Sequence, residues 1–277
     1  MYRQLTVVAG RTLEVRKYHS YKAPNKGLCK RDKNKKPTKE AVKKANERRA
    51  EDSLRWLMNT VFKDGDLSIT LTYEDAPKSI ATLKEDAQDF VRRMRVEYRK
   101  RGIPLWYVYA LGAGPHRRHI HITVRDAGMT PAEIKDTWGL GRVQITPLYS
   151  GGQYRELASY YIRNGADTRA QQIAQGEKPG RYYFAAHGMP RPVIDRKTVS
   201  AATFRKAIYG RAQAKHGYRV EKGSERYFIN NDGYEQYEYT LIRDKDYEDR
   251  NIHDNRQEQL SDTGQGTDCV QHGVRAP

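Results

Sequence analysis

The sequence has little of what defines a membrane, secreted or cysteine-rich protein. It contains only two cysteines, Cys29 and Cys269, near opposite ends, so neither a disulfide framework nor a cysteine-rich zinc site is expected. No stretch approaches the roughly 18 consecutive apolar residues that a membrane helix requires, and the first residues lack a signal-peptide core. No Walker A sequence occurs, which argues against an ATP-driven helicase. We therefore expect a cytoplasmic protein without a membrane partner.

Positive charge is in large excess and is unevenly distributed. The 277 residues include 51 Lys and Arg against 34 Asp and Glu, a net charge of +17. Residues 244–277 hold eight acidic and four basic side chains, so the preceding residues carry a net charge of +21. This excess favours a polyanionic partner, with nucleic acid ahead of a membrane surface. The segment 251–277 has almost no apolar periodicity, so we expect a disordered acidic tail.

Hydrophobic periodicity predicts an α+β fold with a central antiparallel sheet and flanking helices. We divide the chain into basic N-terminal strands and a helix (1–66, part of the core or packed on it), a core (67–165), an α/β extension (166–250) and the tail. Strands are predicted at residues 5–9, 12–18, 67–73, 105–111, 118–124, 142–146, 218–221, 226–230 and 237–243. Helices are predicted at residues 38–62, 79–101, 130–138, 154–164 and 200–216.

Two histidines of the strand RHIHITV are candidate metal ligands. Because strand side chains alternate, His119 and His121 share one face, while Ile120 and Ile122 share the other. Two imidazoles so placed can chelate one ion, although an ordinary pair of exposed histidines has the same pattern. Hydroxyl side chains of the strand 67–73 would join this face if the two strands are neighbours. They are Ser68, Thr70 and Thr72.

The predicted helix 154–164 contains adjacent tyrosines with different environments. On a helical wheel Tyr161 falls on the apolar stripe, so core packing explains it. Tyr160 falls on the other side, together with Arg163, which could neutralise a phosphate or favour the phenolate. In a chain with 20 tyrosines, packing is the commoner role of any single one.

Taken together, these motifs resemble the HUH endonuclease domain of phage and plasmid rolling-circle replication initiators. The resemblance rests on the ITLTY strand, the HIHITV strand, Trp138-Gly139-x-Gly141 and LASYYIR. The opening AGRTLEVRKY and the helix leading into GDLSITLTY look like the replication-associated branch of filamentous phages. The similarity covers roughly residues 1–165 and implies an HUH-like fold.

The resemblance implies a metal-dependent transesterification. His119 and His121 would hold Mg²⁺ or Mn²⁺ against the scissile phosphate of single-stranded DNA. Tyr160, or alternatively Tyr161, would attack in line and leave a 5′-phosphotyrosine and a free 3′-OH. The usual Tyr-x-x-Lys is here Tyr160-x-x-Arg163. No Asp, Glu or Gln occurs between Glu97 and His119 to supply a third ligand, which leaves His116 as the nearest candidate.

The expected function is site-specific nicking and rejoining that starts rolling-circle replication of a phage, plasmid or integrated element. Its partners would be single-stranded DNA at an origin hairpin and the helicase and polymerase of a bacterial host. An HUH transposase remains an alternative; a mobilisation relaxase is disfavoured because its tyrosine precedes the histidines. A non-catalytic, basic protein that binds single-stranded DNA or RNA is the third possibility. Basic residues expected to contact DNA are Lys30, Arg31, Lys33, Lys35, Lys36, Arg92, Arg99, Arg117 and Arg118.

Overall fold

A computed structural model of the chain describes residues 1–19, 38–75, 77, 79–113, 118–210, 212–229 and 234–244. These residues form an α+β fold with two antiparallel sheets, which confirms the predicted class. None of the helices in these ranges has the length and apolarity that crossing a bilayer would require. The predicted basic stretch after Tyr18, the turn with His116 and Arg117, and the acidic tail lie outside the described residues.

Sixteen helices and strands occur in the described ranges, and most lie where the sequence predicts them. The helices are α1 (Lys39–Val61), α2 (Ile80–Lys100), α3 (Pro131–Trp138), α4 (Arg155–Ala174) and α5 (Ala201–Tyr209). The strands are β1 (Tyr2–Ala9), β2 (Thr12–His19), β3 (Leu67–Thr72), β4 (Tyr107–Ala113), β5 (Arg118–Val124), β6 (Val143–Pro147), β7 (Phe184–Ala185), β8 (Val193–Val199), β9 (Tyr218–Val220), β10 (Arg226–Ile229) and β11 (Glu235–Arg243).

Side-chain caps fix the starts of the predicted helices. The hydroxyl of Thr38 accepts a hydrogen bond from the backbone N–H of Ala41, and Ser79 begins α2 in the same way. Thr130 and Glu133 form a reciprocal capping box at the start of α3. Such caps satisfy N–H groups that have no partner within the helix, so each helix begins at a defined residue.

The second sheet (strands β3–β7, in the order β6-β3-β5-β4-β7) is a layer between two pairs of helices. Its face with Ile120 and Ile122 packs against α2 and α3. Its other face, which includes Val108 and Ala110 of β4, packs against α1 and α4. Strand alternation therefore directs His119, on that other face, toward the side on which α4 lies.

The first sheet (strands β1, β2 and β8–β11) combines segments from both ends of the described chain. Its order is β10-β11-β2-β1-β8, and β9 pairs with β11. α1 joins it to the second sheet through Arg55, which is buried and donates to Glu14 of β2 at 2.7 Å and to Asp52 at 2.8 Å. These carboxylates satisfy a charge that burial would otherwise make costly.

Three features of the C-terminal half differ from prediction. The helix expected to end at Gly165 continues to Ala174, because Gly165 is a contact point rather than a stop. A Cβ there would fall 2.0 Å from the carbonyl oxygen of Tyr182, so glycine lets that backbone lie against α4. The helix predicted over 200–216 ends at Tyr209, before Gly210. The strands β7 and β8 were not predicted; β8 is mostly exposed and has no clear apolar alternation.

Candidate active site

The second sheet and α4 bring together the two histidines and Tyr160. β5 pairs with β3 so that His121 lies opposite Thr70 and His119 opposite Thr72, as the shared polar face requires. The imidazole rings of His119 and His121 have their centroids 4.5 Å apart. Tyr160 reaches this pair from α4, and its ring centroid lies 4.7 Å from that of His121. Residues about forty positions apart in sequence thus form one cluster.

His121 is held by a hydroxyl on each ring nitrogen. Its Nδ1 lies 3.0 Å from Oγ1 of Thr70, and its Nε2 lies 2.8 Å from the hydroxyl oxygen of Tyr160. Which partner donates at each nitrogen follows from the tautomer, since a neutral imidazole has one N–H and one acceptor. Burial, reinforced by the neighbouring His119, lowers the pKa of His121 to about 3. The ring is therefore neutral near pH 7.

Tyr160 and Tyr161 occupy different environments, in agreement with the helical wheel. Tyr160 is 39% exposed, whereas Tyr161 is fully buried in the apolar cluster between α1, α4 and β4. The hydroxyl of Tyr161 is 2.8 Å from that of Thr123. Burial raises the pKa of Tyr161, although its hydrogen bonds to Thr123 and Ser68 oppose this effect. Tyr161 is thus a closed, protonated core residue, and Tyr160 is the accessible phenol.

Gly112 forms the surface on which the ring of His119 lies. The two residues are partners in the pairing of β4 with β5. A Cβ at position 112 would fall 2.3 Å from Nε2 and 2.5 Å from Cε1 of His119. Real carbon atoms do not approach so closely, so only glycine permits this position of the ring. The sequence predicted Gly112 as the start of a turn, whereas it lies within β4.

Arg163 supplies positive charge beside Tyr160. Its guanidinium carbon lies 6.0 Å from the centre of the Tyr160 ring, three positions along α4. Both side chains line a cleft of about 670 Å³, whose wall also includes the strongly exposed Tyr149. A guanidinium at this distance can neutralise part of the charge of a phosphodiester brought to the phenol.

The donor set available to a metal consists of two imidazoles. Within the described ranges no three His, Cys, Asp or Glu side chains gather as a metal site. His116, the predicted third ligand, lies outside those ranges. His119 and His121 are close enough to share an ion, and Thr70 already accounts for Nδ1 of His121. The remaining nitrogen, Nε2, contacts Tyr160, which an ion at that nitrogen would have to replace as its partner.

The predicted DNA-binding residues that the structure describes are not part of this cluster. Arg92 and Arg99 are exposed on α2, which covers the opposite face of the second sheet, and Arg92 pairs with Asp89 at 2.9 Å. Arg118, at the start of β5, donates to the carbonyl oxygen of Pro77. A role of these residues in DNA binding remains a prediction, and any such contact would be on other surfaces.

Comparison with known proteins agrees with the position of the site. Residues 66–165 match a family model of replication-associated proteins of the ORF2 type, a segment of just over a third of the chain that includes both histidines and Tyr160. No curated protein and no solved structure matches the chain. The match of residues 66–165 supports a rolling-circle replication initiator, and with it a role in starting DNA replication.

Proposed function

We propose that the protein is an HUH-type endonuclease that nicks and rejoins single-stranded DNA and so starts rolling-circle replication. The observation that carries this proposal is the 2.8 Å contact between the hydroxyl of Tyr160 and Nε2 of His121. An accessible nucleophile and a pair of ligand-type side chains meet at one point, which is the geometry that a phosphoryl-transfer site requires. The family match over residues 66–165 supports the same class of reaction.

In this reaction the phenol oxygen of Tyr160 forms a bond to phosphorus while the bond from phosphorus to the 3′-oxygen breaks. The phenol loses its proton and the departing 3′-oxygen gains one, so the products are a 5′-phosphotyrosine and a free 3′-OH. His121, with a pKa of about 3, is too weak a base to remove that proton fully; it orients the hydroxyl instead. Arg163 offsets the negative charge of the phosphate. Reversal of the same step rejoins the strand.

His119 and His121 would hold a divalent cation, either Mg²⁺ or Mn²⁺, which would polarise the phosphate oxygens when bound. Imidazole nitrogens are softer donors than carboxylates, and Mg²⁺ is a hard cation that strongly prefers oxygen ligands. A pair of imidazoles without a neighbouring carboxylate in the described ranges therefore favours Mn²⁺. Thr70, through its contact with Nδ1, would keep Nε2 of His121 directed at the site.

The substrate would be single-stranded DNA at an origin hairpin of a phage, plasmid or integrated element in the cytoplasm of a bacterial host. The sequence contains no Walker A motif, so a host helicase would unwind the duplex. The free 3′-OH would then prime a host polymerase. These partners follow from the chemistry of the proposed product.

The test is to trap a covalent adduct. The full-length protein is incubated with single-stranded origin DNA and Mn²⁺ or Mg²⁺, and the mixture is denatured before electrophoresis. Tyr160→Phe should abolish the adduct and leave DNA binding intact, while Tyr161→Phe, the matched control one residue away, should retain it. His119→Ala combined with His121→Ala should remove metal-dependent cleavage.

Three outcomes would contradict parts of this proposal. An adduct that persists in Tyr160→Phe and disappears in Tyr161→Phe would move the nucleophile to Tyr161. Full cleavage by the double histidine variant would refute the metal site. Retention of DNA without any breakage by the unmodified protein would identify a binding protein instead of an enzyme.

A further inference from the structure

A second cleft adjoins the candidate active site and has no assigned role. It encloses about 1060 Å³ between α1, the first half of α4 and β10 of the first sheet. It shares Arg155, Glu156 and Arg163 with the cleft that contains Tyr160. The two clefts therefore lie along the same stretch of α4. Any polymer that enters the larger cleft can continue toward the phenol.

Three polar side chains on α4 line the larger cleft in a row. Arg155, Ser159 and Arg163 are spaced four residues apart, which places them on one helical face at steps of about 6 Å. Within the described ranges, neither arginine of this row forms an ion pair or a side-chain hydrogen bond. Arg155 is half-buried, and burial together with the charge of Arg55 lowers its pKa. The row offers cationic donors without committed acceptors.

The other basic side chains of the cleft share few acids. Arg16, Arg48 and Arg226 each lie within 3.5 Å of the same residue, Glu238. One carboxylate cannot neutralise three guanidinium groups, so positive charge remains on this wall. Glu51, Glu156 and Glu225 also line the cleft, but they do not approach the guanidinium groups of the α4 row closely enough to form ion pairs.

Aromatic side chains form the wall opposite α4. Tyr227 and Phe228 are adjacent on β10, and Tyr227 is 49% exposed. The guanidinium of Arg48 lies 5.2 Å from the centre of the Phe228 ring, a cation–π contact that leaves a flat mixed surface. Unpaired bases stack on such surfaces irrespective of sequence, whereas paired bases are not accessible to them.

We propose that this cleft binds the single-stranded DNA that leads to Tyr160, with phosphates on the row Arg155–Ser159–Arg163 and bases against Tyr227 and Phe228. The inference rests on the proposed nicking activity for its substrate. It goes further by assigning a DNA-binding role to the first sheet, which lies outside the segment matched by the family model. A cleft with donors on one wall and aromatic rings on the other fits an unpaired strand better than a duplex.

The test measures binding without cleavage, in full-length protein that carries Tyr160→Phe. Fluorescence anisotropy follows a labelled thymidine oligomer of about 20 nucleotides, longer than the site of a single binding module, at several salt concentrations. Adding Arg155→Ala should weaken binding about tenfold and reduce the salt slope by about 0.7, the value for one phosphate contact on a single strand. Adding Phe228→Ala should weaken binding about tenfold, with an unchanged slope, because stacking releases no counterions.

Arg205→Ala is the matched control, because it removes the same charge from an exposed position on α5 outside the cleft. It should change the affinity by less than about twofold. If Arg155→Ala and Phe228→Ala bind DNA as tightly as this control, the proposal is wrong. Tighter binding of a uridine RNA oligomer than of the thymidine oligomer would overturn the assignment to DNA.

Photocrosslinking gives a second measurement that needs no substitution in the cleft. An oligomer with 5-iodouracil, irradiated on the Tyr160→Phe protein, should attach to the peptide that contains Tyr227 and Phe228; attachment only elsewhere would contradict the proposal. The two proposals fail separately. Absence of a covalent adduct in the unmodified protein, with binding still dependent on Arg155, refutes nicking alone. An adduct with binding independent of Arg155 and Phe228 refutes the cleft alone.

Discussion

Replacing Gly112 with alanine should disable the site through one contact. The new methyl group would lie 2.3 Å from Nε2 of His119, and the other two atoms closest to it also belong to that ring. Restoring an ordinary carbon contact of about 3.5 Å requires the ring to move by roughly 1 Å. A displacement of that size in a catalytic group can lower the rate by about 100-fold. Gly112 lies in a strand without a positive φ, so alanine should leave the free energy of unfolding unchanged or slightly raised.

Single-turnover formation of the covalent adduct, together with thermal melting, tests this reasoning. Gly180→Ala serves as the control, because Gly180 also lacks a positive φ and lies outside the site. His119→Ala and the double variant with Gly112→Ala should react at the same rate, since the methyl group acts only through the ring that is already absent. Cleavage by Gly112→Ala at the wild-type rate would show that the position of the His119 ring is unimportant.

Three further perturbations separate the roles of the remaining residues. Tyr161→Phe should retain the adduct yield and lower the free energy of unfolding by about 1 kcal/mol, as loss of a buried hydrogen bond predicts; loss of the adduct would contradict its core role. Thr70→Val should slow adduct formation about tenfold at unchanged DNA affinity, because His121 loses its orienting partner, and Thr70→Ser should restore the rate. Burial would raise the pKa of Glu14, but Arg55 outweighs it and holds the pKa below its usual value. The unfolded chain therefore binds the proton more readily, and stability present above about pH 4.5 should be lost as the pH falls, by up to about 1.4 kcal/mol per unit. Urea titrations at several pH values should show this loss, and Glu14→Gln should reduce it.

Local signals in the sequence predicted the elements that hold the site. Strict alternation in β3 and β5 identified the polar face, and the start of α4 followed from its apolar stripe. The helical wheel separated Tyr160 from Tyr161, and the structure confirms that the first is accessible and the second buried. What could not be predicted depends on contacts between distant segments. The continuation of α4 past Gly165 follows from the close approach of Tyr182, which leaves no trace in the local pattern.

The same limitation explains the residues that were missed. Gly112 matters because β4 pairs with β5 in one register, and a Gly-x-Gly before a proline is a turn signal when considered alone. Arg155 matters because β10, some seventy residues later, forms the opposite wall of its cleft. The first sheet itself pairs strands from both ends of the described chain, a long-range arrangement that no window of local sequence reports. The predicted domain boundaries stay a prediction.

The position of α1 has a practical consequence for work on fragments of this protein. Leu54, Leu57 and Met58 of α1 cover Val108 and Ala110 of β4, the face on which α4 also rests. A recombinant piece limited to residues 66–165 would lack this cover and would truncate α4 in mid-helix. Its apolar side chains would then face water, and such pieces commonly aggregate. Failure of that short piece to nick DNA would therefore report on misfolding, and would say nothing about the chemistry of the intact chain.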